Sequence, residues 1–592
     1  MLERLLHEGY DLVDQLGRNE DLLDAVRVVL VHVYVPAMAS LLALTASAVI
    51  MARKPLMARL GAIPARAWTS ALLLFNVALA LRLFWAPHVP QVYLDEISFL
   101  NTADNMARND LNLLSTVHEV SGAIFHPCPA GWQFLISRAY QFFGIRPEVA
   151  FTLAATLSAL SVPLLFGVLF EMTGRTGVGL WGALFLTILP VHLRLSGSAA
   201  LETSSVLFLL ATLYALLVWR ATRARSTLLL AATCFAWFAN TRMENTLALG
   251  PLLLIYAVAI WPREARSRAD FLTATGCGLV AVGFSLPALL ADFYGVATRF
   301  YFFYQSARVT QGQIESNWQG NLPYWFDNAF HPLMLTMLAL IAVAGSIRRV
   351  HRRRDIVFWT LWTVGLVGFY TMNPSCDFSL RHTLDSWRTA MHPALGVIIL
   401  AAMGTQMIVD AAAHPYLRRA AVLTVALAAC LTPWLFRDFI MTRHTWMLQW
   451  EAMTRMRDAL PPDAFLLVYD HSTALSPNSP GLAYELAVTT GVVPHYFIFP
   501  DMYDVGSRQP PPQIVDDVER WKVEKRKMFL YHLDAGRVQD SSDLAKMQAM
   551  FNMRPQGGLS MRANHATYSL WRIDGVSPRL AQPTTPARKA DR

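Results

Sequence analysis

Two adjacent carboxylates stand in the stretch of sequence that offers the clearest chemistry. Asp95 and Glu96 end the run Gln91-Val92-Tyr93-Leu94-Asp95-Glu96, which follows an apolar segment, so they would lie within a few residues of a membrane surface. A carboxylate there could act as a general base and remove the proton of an attacking hydroxyl group. The same pair could instead form a helix N-terminus, where the helix dipole favours acidic side chains by about 0.3–1 kcal/mol.

Basic residues in other short connections could bind a phosphate group. His126 lies in His126-Pro127-Cys128-Pro129, Arg242 in Thr241-Arg242-Met243-Glu244, and Arg388 in Arg388-Thr389-Ala390-Met391-His392-Pro393. Arginine forms bidentate, charge-assisted hydrogen bonds to phosphate oxygens. Glu202 and Glu244 would add supporting carboxylates to such a site.

Each of these residues also has a structural interpretation. Arg242 and Glu244 could be a solvated ion pair in a short turn. Glu202 could be an ordinary helix-start residue, and His126 could serve only to shape its turn. The residue types alone leave both interpretations open.

The elements that must position these residues are membrane spans. Only 16% of the 592 residues are charged, against about 25% in globular proteins, which argues against a soluble fold. A span needs about 20 mostly apolar residues. The sequence contains twelve such segments, approximately 27–51, 67–86, 149–171, 178–196, 203–220, 226–240, 245–261, 271–292, 332–347, 356–373, 389–410 and 420–438.

The basic residues predict the orientation of these spans. Arg and Lys cluster in alternate connections, at 53–66, 220–225, 263–268, 348–354 and 418–419. These connections should face the cytoplasm. The other connections, chiefly 87–148, 293–331 and 374–388, then lie outside, as does the tail after 440. The net charge of +8 therefore marks cytoplasmic loops and gives no sign of a nucleic-acid partner.

The tail changes composition and predicts a soluble extracytoplasmic α/β domain over 441–575. Short β-rich runs alternate with helix-compatible stretches there, at 464–469, 495–499, 527–532 and 567–573. The segment 576–592 is rich in proline and basic residues, which predicts a disordered tail. No glycine-rich phosphate-binding motif follows any of the predicted strands.

The order of these motifs resembles that of the GT-C glycosyltransferases, in particular the branch of protein O-mannosyltransferases and lipid A aminoarabinose transferases. The resemblance covers about residues 67–440 and implies a GT-C-like α-helical fold with about 12 transmembrane helices. The N-terminal segment 1–66 would add one helix to the family core.

The resemblance assigns roles only where residues match the family motifs. The acidic motif after the first family span matches Asp95 and Glu96, with Asp95 as the catalytic base. The donor-side turn matches His126, with Cys128 in place of the second proline of that motif. The acidic residue that follows the family's Ser-Pro-His-like run matches Glu202.

Two later family motifs match with one departure each. The family's Thr-Arg-Pro-Glu turn matches Arg242 and Glu244, with Met243 in place of proline. Its late Arg-Tyr-x-x-Pro run matches Arg388, without the tyrosine. The resemblance and the residue chemistry together make His126, Arg242 and Arg388 the expected donor-phosphate ligands.

The expected function is transfer of a hexose or pentose from a polyprenyl-phosphate donor to an acceptor hydroxyl on protein, lipid or glycan. Transfer would occur at the extracytoplasmic face of the plasma (inner) membrane, as part of cell-envelope glycosylation. A single carboxylate that only removes a proton predicts inversion at the anomeric carbon. The paired carboxylates could also hold Mg²⁺ or Mn²⁺, and the sequence leaves metal dependence open.

Two other functions and one covalent link stay open. A glycan polymerase or ligase would use a similar membrane frame and transfer a whole chain. A twelve-span transporter would usually show repeated halves and charges at mid-membrane, whereas here the charges gather in loops. Cys128 and Cys376, the two cysteines predicted to lie outside, could form a disulfide.

Overall fold

The computed structural model of the chain describes a defined set of residues. These are 19–91, 95–109, 129–242, 244–261, 267–303, 311–322, 325, 332–346, 353–372, 386–441, 450, 454–461, 464–470, 496–498, 512–534, 544–545, 547–563 and 566–577. They belong to two compact units. The first comprises the described residues within 1–92, 105–113 and 126–442, and the second those within 93–104, 114–125 and 443–592.

The first unit is helical throughout its described part. Its helices are α1 (Glu20–Gly61), α2 (Ala65–Ala80, continued by a π turn Leu81–Trp85), α4 (Gly131–Phe143), α5 (Pro147–Thr173), α6 (Thr176–Ile188), α7 (Pro190–Ser196), α8 (Leu201–Thr222), α9 (Arg225–Ala239), α10 (Gly250–Ala259, after a π turn Asn245–Leu249), α11 (Arg268–Phe303), α12 (Gln311–Asn321), α13 (Leu333–Ser346), α14 (Arg353–Thr371), α15 (Met391–Ala411, after a 3-10 turn Ser386–Ala390), α16 (Pro415–Leu435) and α17 (Arg437–Met441). Helix α3 (Asp95–Asn109) begins in the second unit and ends in the first.

The twelve predicted apolar segments all coincide with helices. Within the described residues, seven helices are long and apolar enough to cross a membrane, and an eighth span results if α6 and α7 count as one, bent by 58°. Helices α9, α10 and α13 are apolar but shorter than a full span. The architecture is therefore that of a multi-pass membrane protein, as the sequence predicted.

A buried arginine stabilises the break between α6 and α7. Pro190 begins α7 and has no N–H, and the carbonyls of Leu186 and Thr187 accept hydrogen bonds from Arg82 at 3.1 and 3.4 Å. Arg82 is fully buried and also donates to Ser158 Oγ at 2.8 Å. The guanidinium group thus supplies donors that the broken helix lacks.

Ion pairs join the helix ends on the side predicted to face the cytoplasm. Arg59 at the end of α1 binds Glu171 at the end of α5, with 2.8 Å between Nη2 and Oε2. Arg175 before α6 pairs with Asp410 near the end of α15. These contacts agree with the alternating direction of the helices.

Helices α13 and α15 approach each other closely at a glycine. A Cβ added at Gly404 of α15 would overlap the backbone of Leu338 and Ala342 in α13. Small residues at such crossings allow two backbones to pack at short range. This contact belongs to the main apolar core, which also contains Trp359 and Trp362 of α14.

The second unit contains a five-stranded sheet. Its strands are β1 (Phe465–Asp470), β2 (Tyr496–Ile498), β3 (Met528–Asp534), β4 (Phe551–Ala563) and β5 (Ala566–Val576), and its helix α18 spans Pro512–Val523. The strand order is β2-β1-β3-β5-β4. Strand β1 is parallel to β2 and β3, whereas β5 is antiparallel to β3 and β4.

The α/β character predicted for the tail is confirmed, but its pattern is not purely βαβ. All four predicted runs form strands, and a fifth strand, β4, pairs with β5 as an antiparallel hairpin. The hairpin has register irregularities between Asn552 and Met553 and between Pro555 and Ser560. The residues between Pro555 and Ser560 include Gly557 and Gly558. These glycines interrupt the alternation of apolar and polar side chains by which a strand is recognised in a sequence.

Two helices, α3 and α4, lie within the segment 87–148 that the sequence places outside. Helix α4 buries Trp132, Phe134 and Ile136 and leaves Phe142 and Phe143 largely exposed. The larger aromatic face of α4 is therefore packed against protein. Only its last turn offers an apolar surface to a membrane interface.

Candidate active site

Four of the predicted site residues form one buried charged network in the first unit. Arg242 Nη1 donates to Glu202 Oε1 at 2.8 Å. Its Nε and Nη2 donate to the two carboxylate oxygens of Glu244 at 3.1 and 2.9 Å. Arg388 Nε lies 3.6 Å from the same Glu202 oxygen. The contacts therefore form a chain: Arg388 contacts Glu202, Glu202 contacts Arg242, and Arg242 contacts Glu244.

The helix ends explain why these residues meet. Glu202 lies in the first turn of α8, Arg242 and Glu244 lie between α9 and α10, and Arg388 lies in the 3-10 turn before α15. Alternate helices run in opposite directions, so all three positions fall at the same end of the bundle. This is the end opposite the Arg59–Glu171 and Arg175–Asp410 pairs, and the one predicted to face outwards.

Hydrogen bonds fix the turn that carries Arg242. The backbone carbonyl of Asn240 accepts from the amide of Gly131 at 2.8 Å, and a Cβ at Gly131 would overlap that carbonyl. The Asn245 side chain donates to the Phe238 carbonyl at 2.7 Å and to Thr241 Oγ1 at 2.8 Å. Hydrogen bonds from Gly131 and from the Asn245 side chain therefore fix the conformation of this turn independently of the ion pairs.

The network is a buried one, which corrects the idea of a solvated pair. The side chain of Arg242 is 5% exposed, and those of Glu202 and Glu244 are 1% and 19% exposed. Burial opposes the charge on Arg242, yet Glu244 and Glu202 raise its pKa above the usual range. Burial likewise acts to raise the pKa of Glu244, but Arg242 outweighs it and the pKa is lowered. Both groups therefore stay ionised.

Several polar residues that the sequence did not single out surround this network. His392 in the first turn of α15 is buried, and its Nε2 lies 2.8 Å from Ser205 Oγ on α8. Asp292, in the second half of α11, is buried, and neither of its carboxylate oxygens has a hydrogen-bond partner among the described residues. A charged residue within an apolar segment was the signal that could have identified Asp292.

The two arginines of the network differ in exposure and in their contacts to carboxylates. Arg242 already directs three N–H groups at carboxylates, so it orients Glu202 and Glu244. Arg388 has the more exposed side chain, at 18%, and its contact to Glu202 is longer. Arg388 is accordingly the cation of this network that is better placed to meet an incoming anion.

The remaining predicted residues fall elsewhere. Asp95 and Glu96 occupy the first turn of α3; Asp95 is half-buried and Glu96 is buried. They belong to the second unit. Their position at a helix start is compatible with both interpretations, and the role of Asp95 as the base stays a prediction. His126, Cys128 and Cys376 lie outside the described residues. The described part of the chain contains no group of three or more His, Cys, Asp or Glu side chains arranged to hold a metal ion.

Comparison with known proteins identifies the fold. No protein-family profile and no curated protein sequence matches the chain. ArnT from Cupriavidus metallidurans is similar in structure in its apo state, with 13% identity and a TM-score of 0.51 over 86% of this chain and 98% of that chain. The same protein bound to undecaprenyl phosphate gives 12% identity and a TM-score of 0.50, again over 86% and 98%.

The archaeal oligosaccharyltransferase AglB from Archaeoglobus fulgidus, with an inhibitory peptide and a dolichol-phosphate, also aligns. It has 11% identity and a TM-score of 0.48 over 79% of this chain and 69% of that chain. The similarity to ArnT extends over nearly the whole of that protein. The chain therefore has the GT-C fold, as the order of its sequence motifs predicted.

Proposed function

We propose that this chain, which has the GT-C fold, is an integral membrane glycosyltransferase that transfers a sugar from a polyprenyl-phosphate donor to an acceptor hydroxyl. The observation that carries the proposal is the buried network of Arg388, Glu202, Arg242 and Glu244 at one end of the helix bundle. Structural similarity to a protein bound to undecaprenyl phosphate supports the class of donor. The reaction takes place at the extracytoplasmic face, because the basic connections mark the opposite end as cytoplasmic.

Arg388 meets the donor phosphate in this proposal. As the bond between the anomeric carbon and the phosphate oxygen breaks, negative charge develops on the leaving polyprenyl phosphate. A fixed guanidinium group in a water-poor site stabilises such charge more strongly than water does. Glu202 holds Arg388 in place, and Arg242 holds Glu202 through its 2.8 Å hydrogen bond.

Asp95 removes the proton of the acceptor hydroxyl. The acceptor oxygen forms the new bond to the anomeric carbon on the face opposite the leaving phosphate, and its proton passes to the carboxylate. Because no covalent sugar intermediate forms, the configuration at the anomeric carbon inverts. Glu96 shares the first turn of α3 with Asp95, where the helix dipole favours the ionised form of both carboxylates.

The test begins with a strain that lacks the protein. Mass spectrometry of its cell-envelope glycans, lipids and glycoproteins identifies the missing sugar and acceptor. The wild-type gene and the variants Asp95→Asn, Arg388→Gln and Arg388→Lys are then reintroduced at equal protein levels. We expect restoration by wild type, none by Asp95→Asn or Arg388→Gln, and partial restoration by Arg388→Lys.

A matched control uses the same chemical change elsewhere. Asp24 is an exposed residue of α1, and Asp24→Asn should restore the product fully. Full restoration by Asp95→Asn would exclude Asp95 as the base. Loss of a whole glycan chain in the deletion strain would indicate a polymerase or ligase, and substrate accumulation in proteoliposomes would indicate a transporter.

A further inference from the structure

An open cavity of about 250 Å³ lies between α1 and α11. Its walls include Val33 and Tyr34 of α1 and Gly283, Phe284 and Pro287 of α11. Apart from the Tyr34 hydroxyl group, the side chains that line it are apolar. We call this cavity the α1/α11 groove.

The groove opens at the depth of the membrane. Both α1 and α11 are among the seven helices that can cross a bilayer. Val33 and Leu286, which lie along the groove, are 47% and 50% exposed. On a spanning helix these exposed apolar side chains face hydrocarbon, so the natural occupant of the groove is a hydrocarbon chain.

Hydrogen bonds connect the groove wall to the charged network. The Tyr34 hydroxyl donates to Asn240 Oδ1 at 2.8 Å, and Asn240 Nδ2 donates to the carbonyl of Phe284, also at 2.8 Å. Asn240 thus binds both walls and lies two residues before Arg242. On the other wall, α11 continues from Leu290, which lines the groove, to the buried Asp292.

We infer that the α1/α11 groove binds the isoprenoid chain of the lipid-linked donor next to its phosphate. The inference rests on the proposed function. A prenyl phosphate has one apolar chain attached directly to an anion, which matches a single apolar groove that leads to the turn carrying the network. A diacyl phospholipid would have to place a glycerol unit and a second chain as well. Helix α1, which the sequence predicts to be an addition to the family core, would then contribute to donor binding.

Two glycines of α11 allow a matched test. A Cβ at Gly283, in the groove, or at Gly278, outside it, meets no atom within 4 Å. The variants Gly283→Leu and Gly278→Leu therefore add the same bulk to the same helix at positions where the Cβ has space. The two positions are five apart along the helix, about 140° around its axis, so the two side chains point in different directions.

The measurement is the dissociation constant of two probes for the full-length protein in nanodiscs. The probes are radiolabelled undecaprenyl phosphate and a short-chain prenyl phosphate, geranyl phosphate. We expect Gly283→Leu to weaken undecaprenyl phosphate binding about tenfold and to change geranyl phosphate binding by less than about twofold. Gly278→Leu should change neither. Ala37→Phe, on the α1 wall, provides a second blocking variant in case Gly283→Leu does not fold.

The outcomes separate this inference from the proposed function. The inference is refuted if Gly283→Leu and Gly278→Leu change undecaprenyl phosphate binding equally. It is also refuted if Gly283→Leu weakens the binding of both probes equally. Native mass spectrometry could find phospholipid bound to wild type and not to Gly283→Leu. If undecaprenyl phosphate binding is then unchanged, the groove binds phospholipid and the inference is wrong. Arg388→Gln should weaken both probes. If Arg388→Gln weakens binding of neither probe while Gly283→Leu weakens binding of undecaprenyl phosphate, the inference about the groove is supported. The proposed phosphate site at Arg388 is then refuted.

Discussion

Removal of Arg242 tests whether the buried network is held together by charge. Arg242 makes three hydrogen bonds to Glu202 and Glu244, all between 2.8 and 3.1 Å. In Arg242→Gln, Glu244 loses the arginine that binds it, and Glu202 keeps only its longer contact to Arg388 at 3.6 Å. Loss of one partner from a buried ion pair costs about 3–5 kcal/mol. We expect a decrease of that size in the free energy of unfolding.

The assay is equilibrium unfolding of the purified protein in mixed micelles titrated with a denaturing detergent. Arg175→Gln is the control, because Arg175 also pairs with a carboxylate, Asp410, but the two side chains are 43% and 28% exposed. An exposed ion pair contributes about 0–1 kcal/mol. The control variant should therefore unfold close to the wild-type midpoint.

A second substitution separates charge from packing. If the cost of Arg242→Gln arises from an uncompensated carboxylate, Glu244→Gln in the same chain should recover about 1–3 kcal/mol of it. The reasoning is refuted if Arg242→Gln costs no more than Arg175→Gln, or if the costs of Arg242→Gln and Glu244→Gln simply add.

Three further predictions concern the first unit. Arg82→Met should lower the free energy of unfolding by several times the roughly 1–3 kcal/mol of one unsatisfied buried group, and Arg82→Lys by less, measured in the same micelle titration. Gly404→Leu should prevent the close approach of α13 and α15 and abolish the monodisperse elution of the protein, whereas Gly365→Leu, where a Cβ meets open space, should elute as wild type does. Because Arg242 lowers the pKa of Glu244, this carboxylate stabilises the fold at pH values above the unfolded pKa of about 4.3. That stability should be lost only as the pH falls through the lower folded pKa, and Glu244→Gln should remove this part of the acid dependence.

The sequence predicted the elements more fully than their contacts. Hydrophobic runs mark helices because a chain in a bilayer must satisfy its backbone hydrogen bonds within each segment. The alternation of basic connections then orders the helices, which brings the positions of Glu202, Arg242 and Arg388 to one end. Whether these charged side chains bind one another depends on the directions in which they point at three helix ends. Helix packing sets those directions, and the sequence pattern does not show them.

The residues that the sequence analysis missed are polar residues in apolar surroundings, where a hydrophobicity pattern does not reveal them. Arg82, His192 and His392 lie within or beside apolar runs, and an apolar window averages them away. Each is buried and bonded to residues far along the chain. Strand β4 was missed for a related reason, since its pairing with β5 outweighs the two glycines and the proline within it.

Arg82 also bears on how the chain enters the membrane. An arginine at the centre of an isolated transmembrane helix costs about 2.5–3.5 kcal/mol on insertion by the translocon, and Arg82, near the end of the span Ala65–Trp85, costs less because its side chain can reach the interface. The partners that bind the guanidinium group, Ser158 and the carbonyls of Leu186 and Thr187, follow it by 76 to 105 residues. At about 5–20 residues per second of synthesis, α2 would wait on the order of 5–20 s for them. Arg82 thus gains its buried partners only when α5 and α6 arrive, so we expect the first spans to pack together as a group.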